Sequence, residues 1–203
     1  MNPVVDQNHE AAEKVSRHGW LVLVLILVVL IGGGAFVILR AKSPQLFGGS
    51  TEYGILRERF RSDRSYSPAV GYFIPPMRLR GTGGAFIDTD SLKGKPTMIV
   101  FEATWCTYCK EEVADLNRIA KEGKVNYISL DIHEPASLVD SFVAENGITH
   151  PWYYDEDGSV STWFLLAGTP THLFVDKEGK IVSRLTGYQT GAQLDEAVAK
   201  LTQ

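Results

Sequence analysis

The chain has almost no cysteine. Only Cys106 and Cys109 occur among its 203 residues, which excludes a multi-disulfide scaffold. A bridge between residues three apart closes too small a loop to hold a fold together. A four-thiolate zinc site is excluded as well, for want of a second Cys-x-x-Cys. A mixed zinc site would have to draw two further ligands from His133, His150 or His172, none of which stands in metal-ligand spacing. A large excess of either charge sign is also lacking: the formal net charge is −4, which fits neither a nucleic-acid binder nor a polyanion. No internal repeat and no low-complexity tract is found. What is present is a 44% hydrophobic chain, long enough for one well-buried domain. The charge is uneven, with net −1 over residues 1–19, +3 over 40–70 and −6 over 71–203.

The two cysteines stand in Trp105-Cys106-Thr107-Tyr108-Cys109-Lys110. Before them, Ile99-Val100-Phe101 reads as a buried strand. After them, Val113, Leu116, Ile119 and Ala120 recur with a helical period. Cys106 is therefore expected at a helix N-terminus, where unpaired N–H groups and the dipole stabilise a thiolate and lower a thiol from ~8.5 to about 7 or below. A thiolate is the form that attacks disulfides. Cys109, one turn on, is placed to resolve the mixed disulfide.

Trp20–Leu39 is a run of 20 residues without a charge. At ~1.5 Å per residue, such a helix matches the ~30 Å hydrocarbon core of a bilayer, and the run is read as a membrane anchor. The alternative is a cleaved signal peptide with Gly33-Gly34-Ala35 as its small-residue site. Against that stand Asp6, Glu10 and Glu13 in the preceding flank and the continuation through Phe36-Val37-Ile38-Leu39. Lys14 and Arg17 on one side balance Arg40 and Lys42 on the other, so the positive-inside rule is close to a tie. A short N-terminal tail and a long C-terminal domain favour that domain lying outside the cytoplasm, in a bacterial envelope. The expected division is a tail at 1–19, a transmembrane helix at 20–39, a linker at 40–69 and a globular domain at 70–203. Arg57, Arg59, Arg61 and Arg64 in the linker read as a solvated basic spacer, or as a contact for anionic lipid headgroups. Leu56 and Phe60 permit a short helix there.

From about Val70 strands and helices alternate. Met77–Arg80 and Ala85–Ile87 flank Gly81-Thr82-Gly83-Gly84, a hairpin turn needing positive φ. Strands are expected at Thr97–Phe101 and Val125–Leu130. Pro135 opens a helix with Leu138, Phe142 and Val143 on one face, ending near Asn146-Gly147. Trp152-Tyr153-Tyr154, a turn at 155–158 and the apolar Trp163-Phe164-Leu165-Leu166 follow. Thr171–Val175 and Ile181–Leu185 form a hairpin. The last helix carries a Thr190/Gln193 capping box and a stripe of Leu194, Ala197, Val198 and Leu201.

This order of elements, with Trp-Cys-x-x-Cys-Lys and Gly168-Thr169-Pro170-Thr171 before the final hairpin, resembles the α/β thioredoxin-like fold, a central mixed sheet flanked by helices with an N-terminal hairpin. More narrowly it resembles the membrane-anchored TlpA/ResA/DsbE group. The resemblance is carried also by Leu92-Lys93-Gly94-Lys95-Pro96, by Asn146-Gly147-Ile148-Thr149-His150-Pro151, and by Phe174–Val182. It covers residues 70–203.

The resemblance implies a protein-disulfide reductase acting on envelope proteins, with apocytochrome c thiols as a common substrate and a membrane electron donor for re-reduction. It implies no cofactor beyond the redox-active Cys106–Cys109 disulfide. Cys106 would be the exposed nucleophile and Cys109 the resolving thiol. Thr169-Pro170 would form a cis-proline loop that, with Trp105, receives the substrate peptide. Glu112 matches an acidic position the group uses near its cysteines. Beneath Cys109, a partly buried carboxyl with a raised pKa would shuttle that thiol's proton; the plain alternative is an exposed helix glutamate.

Other positions depart from the pattern. Val100 stands where thioredoxin keeps a buried aspartate. Glu102 replaces an aromatic and is read either as an alternative proton acceptor or as a paired or solvated strand-end carboxylate. Ala114 replaces a proline, and Thr107-Tyr108 matches none of the group's common pairs. Two other classes remain open. One is a Cu(I) chaperone using Cys106, Cys109 and His172. The other is a partner-binding domain using Trp152, Tyr153, Trp163 and Phe164.

Overall fold

The computed structural model describes residues 53–203. The expected tail and the Trp20–Leu39 anchor lie outside the described residues. Among the described residues no helix is long and apolar enough to cross a membrane.

The central sheet is made of β4 (Thr97–Glu102), β5 (Asn126–Asp131), β6 (Trp152–Tyr153), β7 (Thr171–Val175) and β8 (Ile181–Thr186), in the order β6-β5-β4-β7-β8. β4 runs parallel to β5 and antiparallel to β7. The helices are α1 (Thr107–Glu122), α2 (Ala136–Glu145), α3 (Ser159–Trp163) and α4 (Gly191–Leu201). β4 is buried at every position, as a central strand covered on both faces must be. Its alternate side chains feed two cores. Met98 and Val100 join Leu116 and Ile119 of α1 and Leu194 and Val198 of α4. Ile99 and Phe101 join Ile128, Leu130, Leu173 and Phe164 on the other face.

The helix ends follow local chemistry. α1 begins at Cys106, whose sulfur accepts the Cys109 N–H, and ends at Gly123 with φ of 64°, the left-handed conformation a C-cap favours. The Thr190–Gln193 capping box at α4 forms as expected. Leu194 and Val198 are buried, while Ala197 and Leu201 pack at the margin. In α2 the expected face is rotated. Val139 and Phe142 are buried, whereas Leu138 is 48% exposed, because α2 faces Trp152 through Val139 and Phe142.

A second, three-stranded sheet corrects the expected N-terminal hairpin. β2 (Met77–Arg80) pairs with β3 (Phe86–Asp88) around the glycine turn, and also with β1 (Gly54–Ile55). The 40–69 spacer therefore gives way to folded chain well before residue 70. Leu56 is buried, and a 3₁₀ turn over Arg57–Arg59 separates it from Phe60. Arg59 is held by Asp88 at 2.7 Å, Arg61 by Asp63 at 2.8 Å, and Arg64 lies over the Phe73 ring at 4.5 Å. Arg59 and Arg64 are thus engaged within the fold, which corrects the solvated spacer for them, while Arg61 and Asp63 form an exposed local pair. The small sheet meets the large one where Gly81 bridges Tyr153. A Cβ at Gly81 would fall 2.5 Å from the Trp152 carbonyl oxygen, so only glycine permits this approach.

Candidate active site

Cys106 and Cys109 form a disulfide with a Cα–Cα distance of 5.3 Å. The Cys109 N–H donates to Cys106 Sγ at 3.2 Å, so the outer sulfur sits over the open end of α1. Cys106 retains 5% exposure and Cys109 none. The ranking is as expected, although Cys106 is less open than anticipated. Around it the surface is aromatic: Trp105 is 66% and Tyr108 56% exposed, and Tyr108 lies 6.0 Å, centroid to centroid, from Tyr188. Thr169-Pro170 is a cis peptide bond. The Gly187 N–H donates to the Pro170 carbonyl at 2.8 Å, fastening that loop to the segment carrying Tyr188 and Gln189.

Beneath the disulfide the interior is polar. Glu112, on α1 one turn beyond Cys109, is fully buried, which overturns the reading of an exposed glutamate. Its Oε1 accepts the Gln189 N–H at 2.6 Å, and Oε2 lies 2.8 Å from His172 Nε2. His172 Nδ1 has no partner. A buried lone pair left over costs less than a buried N–H left over, so Nε2 carries the hydrogen and donates to Glu112. His172 is thereby committed to a carboxylate. Among the described residues no group of three His, Cys, Asp or Glu side chains is arranged to hold a metal.

Glu102, at the end of β4, is also buried, and its Oε2 contacts Ser129 Oγ. Burial pushes its carboxyl up to about 8, with the Glu112 charge adding in the same direction. The solvated strand-end alternative is excluded. Ser129 Oγ also meets Tyr127 Oη and His150 Nε2, each at 3.0 Å. Burial pushes His150 down to about 4 and the Tyr127 phenol well above its usual range, so both are neutral at pH 7.

A second acid pair supports the loop before the cysteines. Glu134 accepts from the Thr104 N–H at 2.7 Å and the Thr104 hydroxyl at 2.6 Å, and Asp131 accepts the Glu134 N–H at 3.2 Å. Burial, reinforced by Glu134, pushes Asp131 up to about 8. Sequence reading missed both residues. Glu134 stands 30 positions from Thr104, and a pair of acids at the end of a strand carries no local signature. Trp152, Tyr153 and Phe164 lie in the core, so those aromatics are not a docking surface.

The thioredoxin-like domain family matches residues 87–202. The chain belongs to that family, within the TlpA/ResA/DsbE group. The thiol-disulfide oxidoreductase ResA of Bacillus thuringiensis subsp. konkukian is 30% identical over 66% of this chain and 79% of its own. ResA of Oceanobacillus iheyensis is 30% identical over 94% of this chain and 93% of its own. Among solved structures, a putative protein disulfide isomerase from Bacteroides thetaiotaomicron is 27% identical, with a TM-score of 0.58 over 65% of this chain and 87% of its own. A putative thiol:disulfide interchange protein DsbE from Chlorobium tepidum shares the fold, with a TM-score of 0.61 at 18% identity over 66% of this chain and 99% of its own. The protein is thus a ResA-like thiol-disulfide oxidoreductase. Its substrates are proteins bearing thiols or disulfides, and the Cys106–Cys109 couple is its redox centre without an external cofactor.

Proposed function

We propose that this oxidoreductase works as a reductant of envelope proteins, anchored by residues 20–39 with its C-terminal domain outside the cytoplasm. The observation that carries the direction is the Glu112 carboxylate buried beneath Cys109. Strong oxidants are strong because their reduced thiolate is stabilised. A buried negative charge under the thiols opposes that stabilisation and favours the disulfide, which makes the dithiol the better electron donor.

The step follows from the geometry. Cys106 thiolate, at the end of α1, attacks a substrate disulfide sulfur, and one substrate thiolate leaves and takes a proton from water. Cys109 passes its proton to Glu112 and attacks Cys106 Sγ. The mixed disulfide breaks, and the second substrate thiolate leaves and is protonated in turn. A membrane donor then restores the dithiol. Thr169-Pro170 receives the substrate peptide with its backbone groups, and Trp105 flanks it. Haem-attachment thiols of apocytochrome c are the substrate class that the resemblance to this group implies, and alignment over 94% of the chain supports a shared N-terminal segment.

The midpoint potential of the protein in dithiol buffers tests the direction. A value below about −200 mV is expected, and one near about −120 mV overturns the reductant assignment. Alkaline phosphatase fused after Gln203 tests the location: activity is expected, and an inactive fusion refutes an external domain. Partners trapped by Cys109→Ser identify the substrate, and a catch without apocytochromes removes the haem-attachment role.

A further inference from the structure

Glu102 lies outside the steps described above, yet the direction of its hydrogen bonds can be read from its neighbours. Asn117 lies on α1. Its Oδ1 accepts the Thr149 N–H at 2.8 Å, and its Nδ2 donates to the Gly147 carbonyl at 2.8 Å. A backbone N–H only donates and a carbonyl only accepts, so the orientation of this amide is fixed. His150 Nδ1 lies 3.0 Å from Asn117 Oδ1 and must therefore carry a hydrogen. The imidazole is half-buried, and desolvation holds it neutral, which leaves His150 Nε2 as a bare lone pair 3.0 Å from Ser129 Oγ. The Ser129 hydroxyl supplies the hydrogen there. Ser129 has only one to give. It accepts from Tyr127 Oη, and its close contact with Glu102 Oε2 must then be a hydrogen bond donated by Glu102. The remaining Glu102 oxygen is buried with no partner, tolerable for the carbonyl of a neutral acid and costly for a carboxylate.

We propose that Glu102 is held as a neutral carboxylic acid by the Asn117–His150–Ser129 relay, and that this leaves Glu112 as the single negative charge on the proton path of Cys109. Glu102 is a positioning residue acting through Glu112, and the inference rests on Cys109 being the resolving thiol. The titratable groups around Glu102 are Glu112 on α1, His172 on β7, Tyr127 and the register neighbour Asp131 on β5, and His150 before β6. Two ionised carboxylates there would repel each other and raise the cost of forming the Cys109 thiolate. Loss of the Glu102 proton therefore slows resolution at alkaline pH.

Two readouts on the full chain test this. In protein labelled with carboxyl-¹³C glutamate, the resonance missing from Glu102→Gln should keep a protonated-acid shift through neutral pH and titrate near about 8. A carboxylate shift at about pH 6 overturns the proposal. If Glu102→Gln does not fold, Ser129→Ala makes the assignment by displacing the same resonance. In stopped flow with an aromatic disulfide, the second thiolate-release phase should level off above about pH 8 in the native protein and keep rising in Glu102→Gln. Superimposable profiles overturn the role. Cys109→Ser, which should lack the second phase, separates failure of the resolving assignment from failure of this one.

Discussion

The two faces of the central sheet differ most where they approach the disulfide. On the face turned from α1, Ile99 and Phe101 meet Ile128, Leu130 and Leu173 in a purely apolar core, and the Phe101 and Phe164 rings lie 5.0 Å apart. On the face toward α1, the same strands present Glu102, which meets Ser129, and His172, which meets Glu112. Strand alternation permits this, since Phe101 and Glu102 are neighbours in sequence and face opposite layers. One face therefore holds the strands together while the other is free to carry buried polar groups. That division explains how a small domain tolerates two buried carboxyls under its active site.

Breaking either face should give different losses. The largest effect is chemical: Cys106→Ser should lower disulfide-reductase activity by more than about 10³-fold, as expected for loss of a covalent nucleophile, with little change in melting temperature. Phe101→Ala, on the apolar face, should cost about 3–5 kcal/mol in chemical denaturation while leaving the midpoint potential nearly unchanged. A large shift in potential would show that the faces are not separable.

Glu102→Gln should sharpen the contrast through pH. The carboxyl is raised from 4.5 to about 8 in the folded protein, so folding binds a proton. The stabilising contribution is whole below the unfolded value and is lost as pH rises toward the folded one. The amide has no such loss. The variant should be more stable than the native protein by about 4 kcal/mol at pH ~7.5, and the gap should close near pH ~4. A gap independent of pH would place an ionised Glu102 in the folded state. The smallest effect is at a cap: Thr190→Ala should cost about 1 kcal/mol, measured by thermal melting, with activity retained.

Much of this arrangement was legible in sequence because it is local. The helix start at Cys106, the turn at Gly83-Gly84, the Thr190 cap and the β7–β8 hairpin each depend on a few adjacent residues. Glu112 beneath Cys109 follows from one helical turn. The rest depends on long-range meetings. His172 reaches Glu112 from 60 positions away, and Ser129 reaches Glu102 from 27. Nothing near Asn117 signals that it orients His150. Leu138 was misplaced because a short amphipathic helix leaves the direction of its buried face to its neighbours. β1 escaped notice because two residues are too few to show a period.

The account's central claim is that Cys106 is the reactive thiol, held over the end of α1, with Cys109 shielded above Glu112. Alkylation of the reduced protein with iodoacetamide across pH, followed by peptide mass mapping, tests it most directly. The account predicts rapid modification of Cys106 alone, along a profile with a midpoint below the ~8.5 of a free thiol. Equal or faster modification of Cys109 would contradict it.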